Sequence, residues 1–165
     1  MLTAALFPLL LPLASFVLLA VCWPIRHNGK LAGAISCAAA IGSCFGALKL
    51  LNLVTRGDVS ASNGFEQTYP WLIANGNTIA EIGVRVDGIS ATMLVVITLV
   101  AAAVQVYSLG YLADEPESDL GRYFTWHSLF IPAMGGLVIA PNLLQAFMWL
   151  AMVMCPPSVS TFRQL

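Results

Sequence analysis

The sequence predicts an all-α membrane protein with about four transmembrane helices plus a truncated fifth, and a small extramembrane β-hairpin-like loop between helices 2 and 3. Three observations predict it. Of the 165 residues, 59% are hydrophobic and only 9% charged, where soluble domains carry about 25% charged residues. Uncharged stretches long enough to cross about 30 Å of hydrocarbon recur along the chain, such as Leu2 to Trp23 and Gly88 to Tyr111. Every Asp and Glu lies at or outside the edge of such a stretch: Asp58, Glu66, Glu81, Asp87, Asp114, Glu115, Glu117 and Asp119.

Leu2 to Trp23 is the first span. No Lys or Arg precedes its apolar run, and no small-residue cleavage site follows it, so it reads as a retained helix and not a secretory signal. Pro8 and Pro12 kink it, which a membrane helix tolerates when neighbours satisfy the freed carbonyls. "PIRHNGK", Pro24 to Lys30, is a polar turn. The second span, Leu31 to Val54, is rich in Gly, Ala, Ser and Cys and carries a GxxxG pair at Gly42 and Gly46. Small residues let helices approach closely, which places this span inside a bundle.

Thr55 to Arg85 is a polar connection, and the runs around Asn75-Gly76-Asn77 read as two short strands joined by a turn. Tyr69 and Trp71 suit the membrane interface. The third span runs from Gly88 to Tyr111 and the fourth from about Tyr123 to Ala140. Pro141-Asn142 breaks the fourth, and Asn142 caps a new helix. The fifth segment, Leu143 to Cys155, covers about 20 Å before Pro156-Pro157 ends it, too short to cross. Two regions result: an N-terminal transmembrane bundle over 1–149 and a divergent tail over 150–165. Arg26, Lys30, Arg122 and Arg163 outnumber Lys49, Arg56 and Arg85 by four to three, which puts the N-terminus outside and the acidic "ADEPESD" loop in the cytoplasm.

Few side chains can carry chemistry. The net charge of −1 offers no pull toward nucleic acid or an anionic surface. Cys22, Cys37, Cys44 and Cys155 are scattered through apolar stretches, so no metal site is expected; Cys37 and Cys44, two helical turns or roughly 10 Å apart, are too distant for a disulfide. No nucleotide-binding loop, HExxH or Ser–His–Asp pattern is present, and no residue is catalytic on this reading. Asp87 sits where the third span begins and suits an N-cap; pairing with Arg85 or a partner subunit is the alternative. Ser90, Leu94, Thr98, Ala101, Gln105 and Ser108 recur every three to four residues and share one helix face. Such a face is a packing seam or a wet track. Lys49 snorkels to the interface or takes part in ion transfer. His127, one turn inside the fourth span, is an interfacial hydrogen-bonding group or a proton relay.

Five motifs follow one another in order: "YPWL" (Tyr69 to Leu72), "VDGISATMLVVITLV" (Val86 to Val100), "VYSLGYL" (Val106 to Leu112), "GRYFTWHSLF" (Gly121 to Phe130) and "APNLLQAF" (Ala140 to Phe147). Together they resemble the N-terminal part of the antiporter-like subunit L of proton-pumping NADH:quinone oxidoreductase, respiratory complex I. The large subunit of multi-component Na⁺/H⁺ antiporters is also similar, less closely. Asp87, Gly88, Tyr107, Gly110, Arg122 and Asn142 are the motif positions. The resemblance implies a piece of a long, multi-pass subunit of the bacterial inner membrane, partnered by the other membrane subunits and by lipid. In that family, protons pass through buried Glu, Lys and His near the midplane. NADH, flavin, Fe–S clusters and quinone belong to other subunits, so no cofactor is expected on this chain.

The sequence departs from the family after "NLLQAF". A Trp-Glu pair is expected there; Trp149 matches the tryptophan, but Leu150, or Ala151 without a gap, stands in place of the glutamate. The family also often has His where Gln105 stands. The change after Trp149 suggests a frameshifted or truncated product that cannot pump. A short non-catalytic membrane protein that packs against a larger complex is the other reading, favoured by the small-residue second span.

Overall fold

The computed structural model describes residues 2–22, 28–56, 65–74, 77–112 and 117–161. The expected polar turn at 23–27, the Asn75-Gly76 tip, the acidic loop at 113–116 and the end of the tail lie outside the described residues. Five helices and two strands follow in order: α1 Leu2–Val21, α2 Gly29–Thr55, β1 Phe65–Ala74, β2 Asn77–Val86, α3 Gly88–Tyr111, α4 Glu117–Val138 and α5 Leu143–Thr161.

Helix α2 is central and packs against α1, α3 and α4; α1 and α3 also touch α4, and α5 leans on α4. The GxxxG pair faces α1. A Cβ on Gly42 would stand 2.7 Å from a Leu11 methyl, and one on Gly46 2.8 Å from the Phe7 ring, so a larger residue at either position would push these side chains aside. The contact also serves a carbonyl that proline leaves free in α1. Pro12 has no N–H for the Pro8 carbonyl, and Ser43 Oγ of α2 donates to that carbonyl at 2.5 Å instead. A buried cluster of Ala5, Leu9, Ala47, Leu50, Val54, Val86, Ala91, Leu94 and Ile139 ties three helices and the turn after α4 to the hairpin.

Strands β1 and β2 form an antiparallel pair from Phe65↔Val86 to Ala74↔Asn77. The register slips just after Pro70, which has no N–H to give to a ladder. The outer edge of β2 is covered. Residues 81, 83 and 85 alternate along it, and the break between α4 and α5 meets each of them. Asn142 Nδ2 donates to Glu81 O at 2.6 Å, Arg85 N–H donates to Ile139 O at 2.9 Å, and the Gln145 amide both donates to Gly83 O and accepts from Gly83 N, each at 2.9 Å. An open strand edge otherwise presents unpaired main-chain groups. Asn142 also caps α5, its Oδ1 accepting the Gln145 N–H at 2.9 Å.

Helix α3 starts at the expected residue because Asp87, in extended backbone, accepts the Ser90 N–H on Oδ1 at 2.7 Å. That bond, the Ser90 side chain and Arg85 hold the Asp87 carboxyl below its ordinary value of 3.8, against a partial desolvation. Asp87→Ala is expected to cost about 1 kcal/mol, while Asn keeps most of the cap. Because the folded-state pKa is lowered, the ionic part of the stabilisation is present above the unfolded value and is lost as pH falls through the folded one. Detergent melts at neutral and strongly acidic pH check this. Wild type loses an increment in acid that Asp87→Asn lacks.

Two expectations need correction. The fifth segment does not stop at Cys155: α5 is 19 residues long and runs through Pro156 and Pro157 to Thr161. Proline removes a hydrogen bond, but its fixed φ is itself helical, so the pair weakens the last turns without ending them. The helix therefore outlasts the proline pair, but its apolar stretch, Leu143–Met154, remains shorter than a span. Among the described residues, two helices, α2 and α3, are long and apolar enough to cross a membrane by length and composition; the apolar stretches Ala5–Val21 and Leu143–Met154 are shorter. α4 starts earlier than expected, at Glu117, and its first turns are polar.

Candidate functional site

The polar row on α3 is the place where chemistry could reside, because it carries uncharged hydrogen-bonding groups into the bundle. Ala91, Leu94, Thr98, Ala101, Gln105 and Ser108 are its buried residues. Ser90 is only half-buried and is tied to the Asp87 cap. Thr98 Oγ1 is satisfied within its own helix, donating to the Leu94 and Val95 carbonyls at 2.9 and 3.1 Å. Ser108 Oγ reaches Val104 O at 2.8 Å and the Tyr123 hydroxyl at 3.0 Å.

Three helices meet at Gln105. Its Nε2 donates to Ser36 Oγ of α2 at 2.7 Å, Ser36 and Ser128 of α4 share a hydrogen bond at 2.6 Å, and Ser128 Oγ donates to Phe124 O at 2.9 Å. All three side chains are fully enclosed, 0%, 0% and 1% exposed. In an apolar interior such bonds lock helices in register, since the alternative is an unpaired group. Among the described residues, Gln105 Oε1 and His127 Nε2 are buried and find no hydrogen-bond partner. The His127 ring lies between Tyr123 and Phe130, with centroids 5.7 and 5.9 Å away and nearly parallel planes. Ser36 and Ser128 were invisible as partners in the sequence; the one signal was that Ser36 lies in a small-residue span and Ser128 beside His127.

The remaining candidates stand apart from this cluster. Lys49 is exposed on the outer face of α2. Tyr107 points out and stacks on Tyr111, with centroids 5.7 Å apart. Gly88 and Gly110 border open space. Arg122 is half-buried in α4, and Asn142 anchors the hairpin. Among the described residues no three His, Cys, Asp or Glu side chains come together as metal ligands would. The acids whose side chains are described, Glu66, Glu81 and Asp87, all lie on the hairpin or at its junction with α3. Gln145, which sequence reasoning passed over inside "APNLLQAF", proves to hold the hairpin down.

The family described as NADH-ubiquinone oxidoreductase (complex I), chain 5 N-terminus, matches residues 71–124, from the hairpin to the opening of α4. Among curated proteins, the chloroplastic NAD(P)H-quinone oxidoreductase subunit 5 of Mesostigma viride is 36% identical over 104 residues, 62% of this chain and 16% of that protein. Chain 5 of the same oxidoreductase from Synechocystis sp. is 37% identical over 120 residues, 72% of this chain and 17% of the relative. The Chara vulgaris chloroplastic subunit 5 is 34% identical over 143 residues, 86% of this chain and 20% of the relative. The chain thus spans a fifth or less of these relatives' length. With the ordered motifs, the family match and these relatives in agreement, the chain is homologous to the N-terminal part of chain 5 of the quinone oxidoreductases, an antiporter-like membrane subunit.

Proposed function

We propose that this chain forms the opening helices of subunit L of a proton-translocating NADH:quinone oxidoreductase in a bacterial inner membrane. α1 to α4 cross the bilayer, and the bundle packs against the other membrane subunits. It binds no NADH, flavin, Fe–S cluster or quinone; those stay with other subunits. It moves no protons by itself.

One observation carries the last point. The polar seam groups are neutral: Ser36, Gln105, Ser108 and Ser128 are hydrogen-bonded between helices and Thr98 within its own, while the described acids sit at the hairpin end. Proton transfer through hydrocarbon needs buried ionisable groups in series. His127 alone, stacked between two aromatic rings, does not make a series. Purified and reconstituted into vesicles, the chain is expected to add no proton or Na⁺ flux; saturable antiport would overturn the reading.

A further inference from the structure

The last three turns of α2 and its capping Arg56 carry a feature that neither the seam nor the hairpin uses. Phe45, Leu48, Lys49, Asn52, Leu53 and Arg56 line an outward-facing groove of about 420 Å³. Lys49 and Arg56 are seven residues apart, two turns, and share one face, with Asn52 between them. The floor is apolar: Phe45 is 64% and Leu48 41% exposed. The opposite face of α2, with Ala40, Ser43, Ala47, Leu50 and Val54, is the one buried in the bundle. Among the described residues no acid is paired with either cation.

Depth sharpens the picture. Gly42 is the midpoint of α2. With Gly42 set at the bilayer midplane and about 1.5 Å per residue, Lys49 lies roughly 10 Å from it and Arg56 roughly 21 Å, on either side of the hydrocarbon edge at about 15 Å. Lys49 must therefore extend its stem outward to reach water, while Arg56 starts at headgroup level. Both charges arrive at the height where phosphates of the leaflet stand, above an apolar floor suited to acyl chains. A zwitterionic headgroup brings its own cation to two positive side chains, whereas an anionic one does not.

We propose that this groove binds an anionic phospholipid, its phosphate held between Lys49 and Arg56 with Asn52 as a further hydrogen-bonding group, and its acyl chain against Phe45 and Leu48. The occupant follows from charge complementarity and from the polar-over-apolar order of the lining.

The test uses the full chain, purified in a neutral detergent, and measures the melting temperature on adding phosphatidylglycerol, phosphatidylcholine or inorganic phosphate. Phosphatidylglycerol is expected to raise it by about 3 °C, with little effect from the other two. Lys49→Gln/Arg56→Gln abolishes the shift, and the charge-keeping Lys49→Arg retains it. Arg85→Gln, a cation on the hairpin away from the groove, leaves it unchanged. An equal response to inorganic phosphate, an equal response to phosphatidylcholine, or a shift that survives the double substitution would each overturn the proposal, as would no shift at all in wild type.

Discussion

Gly83→Ala is expected to cost about 3 kcal/mol, the upper end of what overpacking a tight site costs, and to detach the hairpin from the bundle. A Cβ at this position meets Gln67 O and lies 2.8 Å from Thr68 Cα. Both are backbone atoms of β1, so no side-chain rotation can make room. The same residue takes both hydrogen bonds of the Gln145 amide, so a shift of β2 breaks its anchor as well. Gln145→Ala removes only the anchor and should cost less, about 1–2 kcal/mol for the two groups left unpaired. Thermal melts of the two variants in one detergent check the order. Limited proteolysis checks the cause, with faster cleavage between Phe65 and Val86 in Gly83→Ala. A variant that melts like wild type would mean that the hairpin is not held against the α4–α5 break.

Ser36→Ala is expected to be the most damaging single change in the helix interior, at about 2 kcal/mol. The serine is the shared partner of Gln105 and Ser128. Without it, Ser128 keeps its bond to Phe124 O, but the Gln105 amide loses its one partner while its Oε1 is already unpaired. Gln105→Leu takes the whole amide away and should be milder. The double variant Ser36→Ala/Gln105→Leu should then recover most of the loss, a non-additivity that a double-mutant cycle measures. Hydrogen bonds between membrane helices average nearer 0.6 kcal/mol, so an additive cycle with both effects below that value would remove the cluster from the stability account.

The α3 row and its cap were legible because their neighbours are so uniform. In a helix of Val, Leu, Ile and Ala, Thr98, Gln105 and Ser108 fall on one face with Leu94 and Ala101, which marks the side that avoids lipid, and Asp87 precedes the first turn. Asn75-Gly76 between β-prone runs announced the hairpin in the same way. The partners across the seam were not legible. α2 is Gly, Ala, Ser and Cys on every side, so no apolar period says which serine turns inward. Gln145 sits three positions after the helix cap, and nothing local reveals that a strand edge from sixty residues earlier comes to rest on it. The proline pair misled for a different reason. Proline forbids a donor and not a dihedral, and a helix near its end has little left to lose there.

Proton flux tests the central claim most directly. Vesicles holding the purified chain, loaded with a pH-sensitive dye and given an imposed pH gradient with K⁺ and valinomycin to clamp the potential, are expected to leak at the rate of protein-free vesicles from pH 6 to pH 8. Flux well above that baseline, abolished by His127→Ala or Gln105→Leu, would show that the bundle interior is a conduction path and contradict the account.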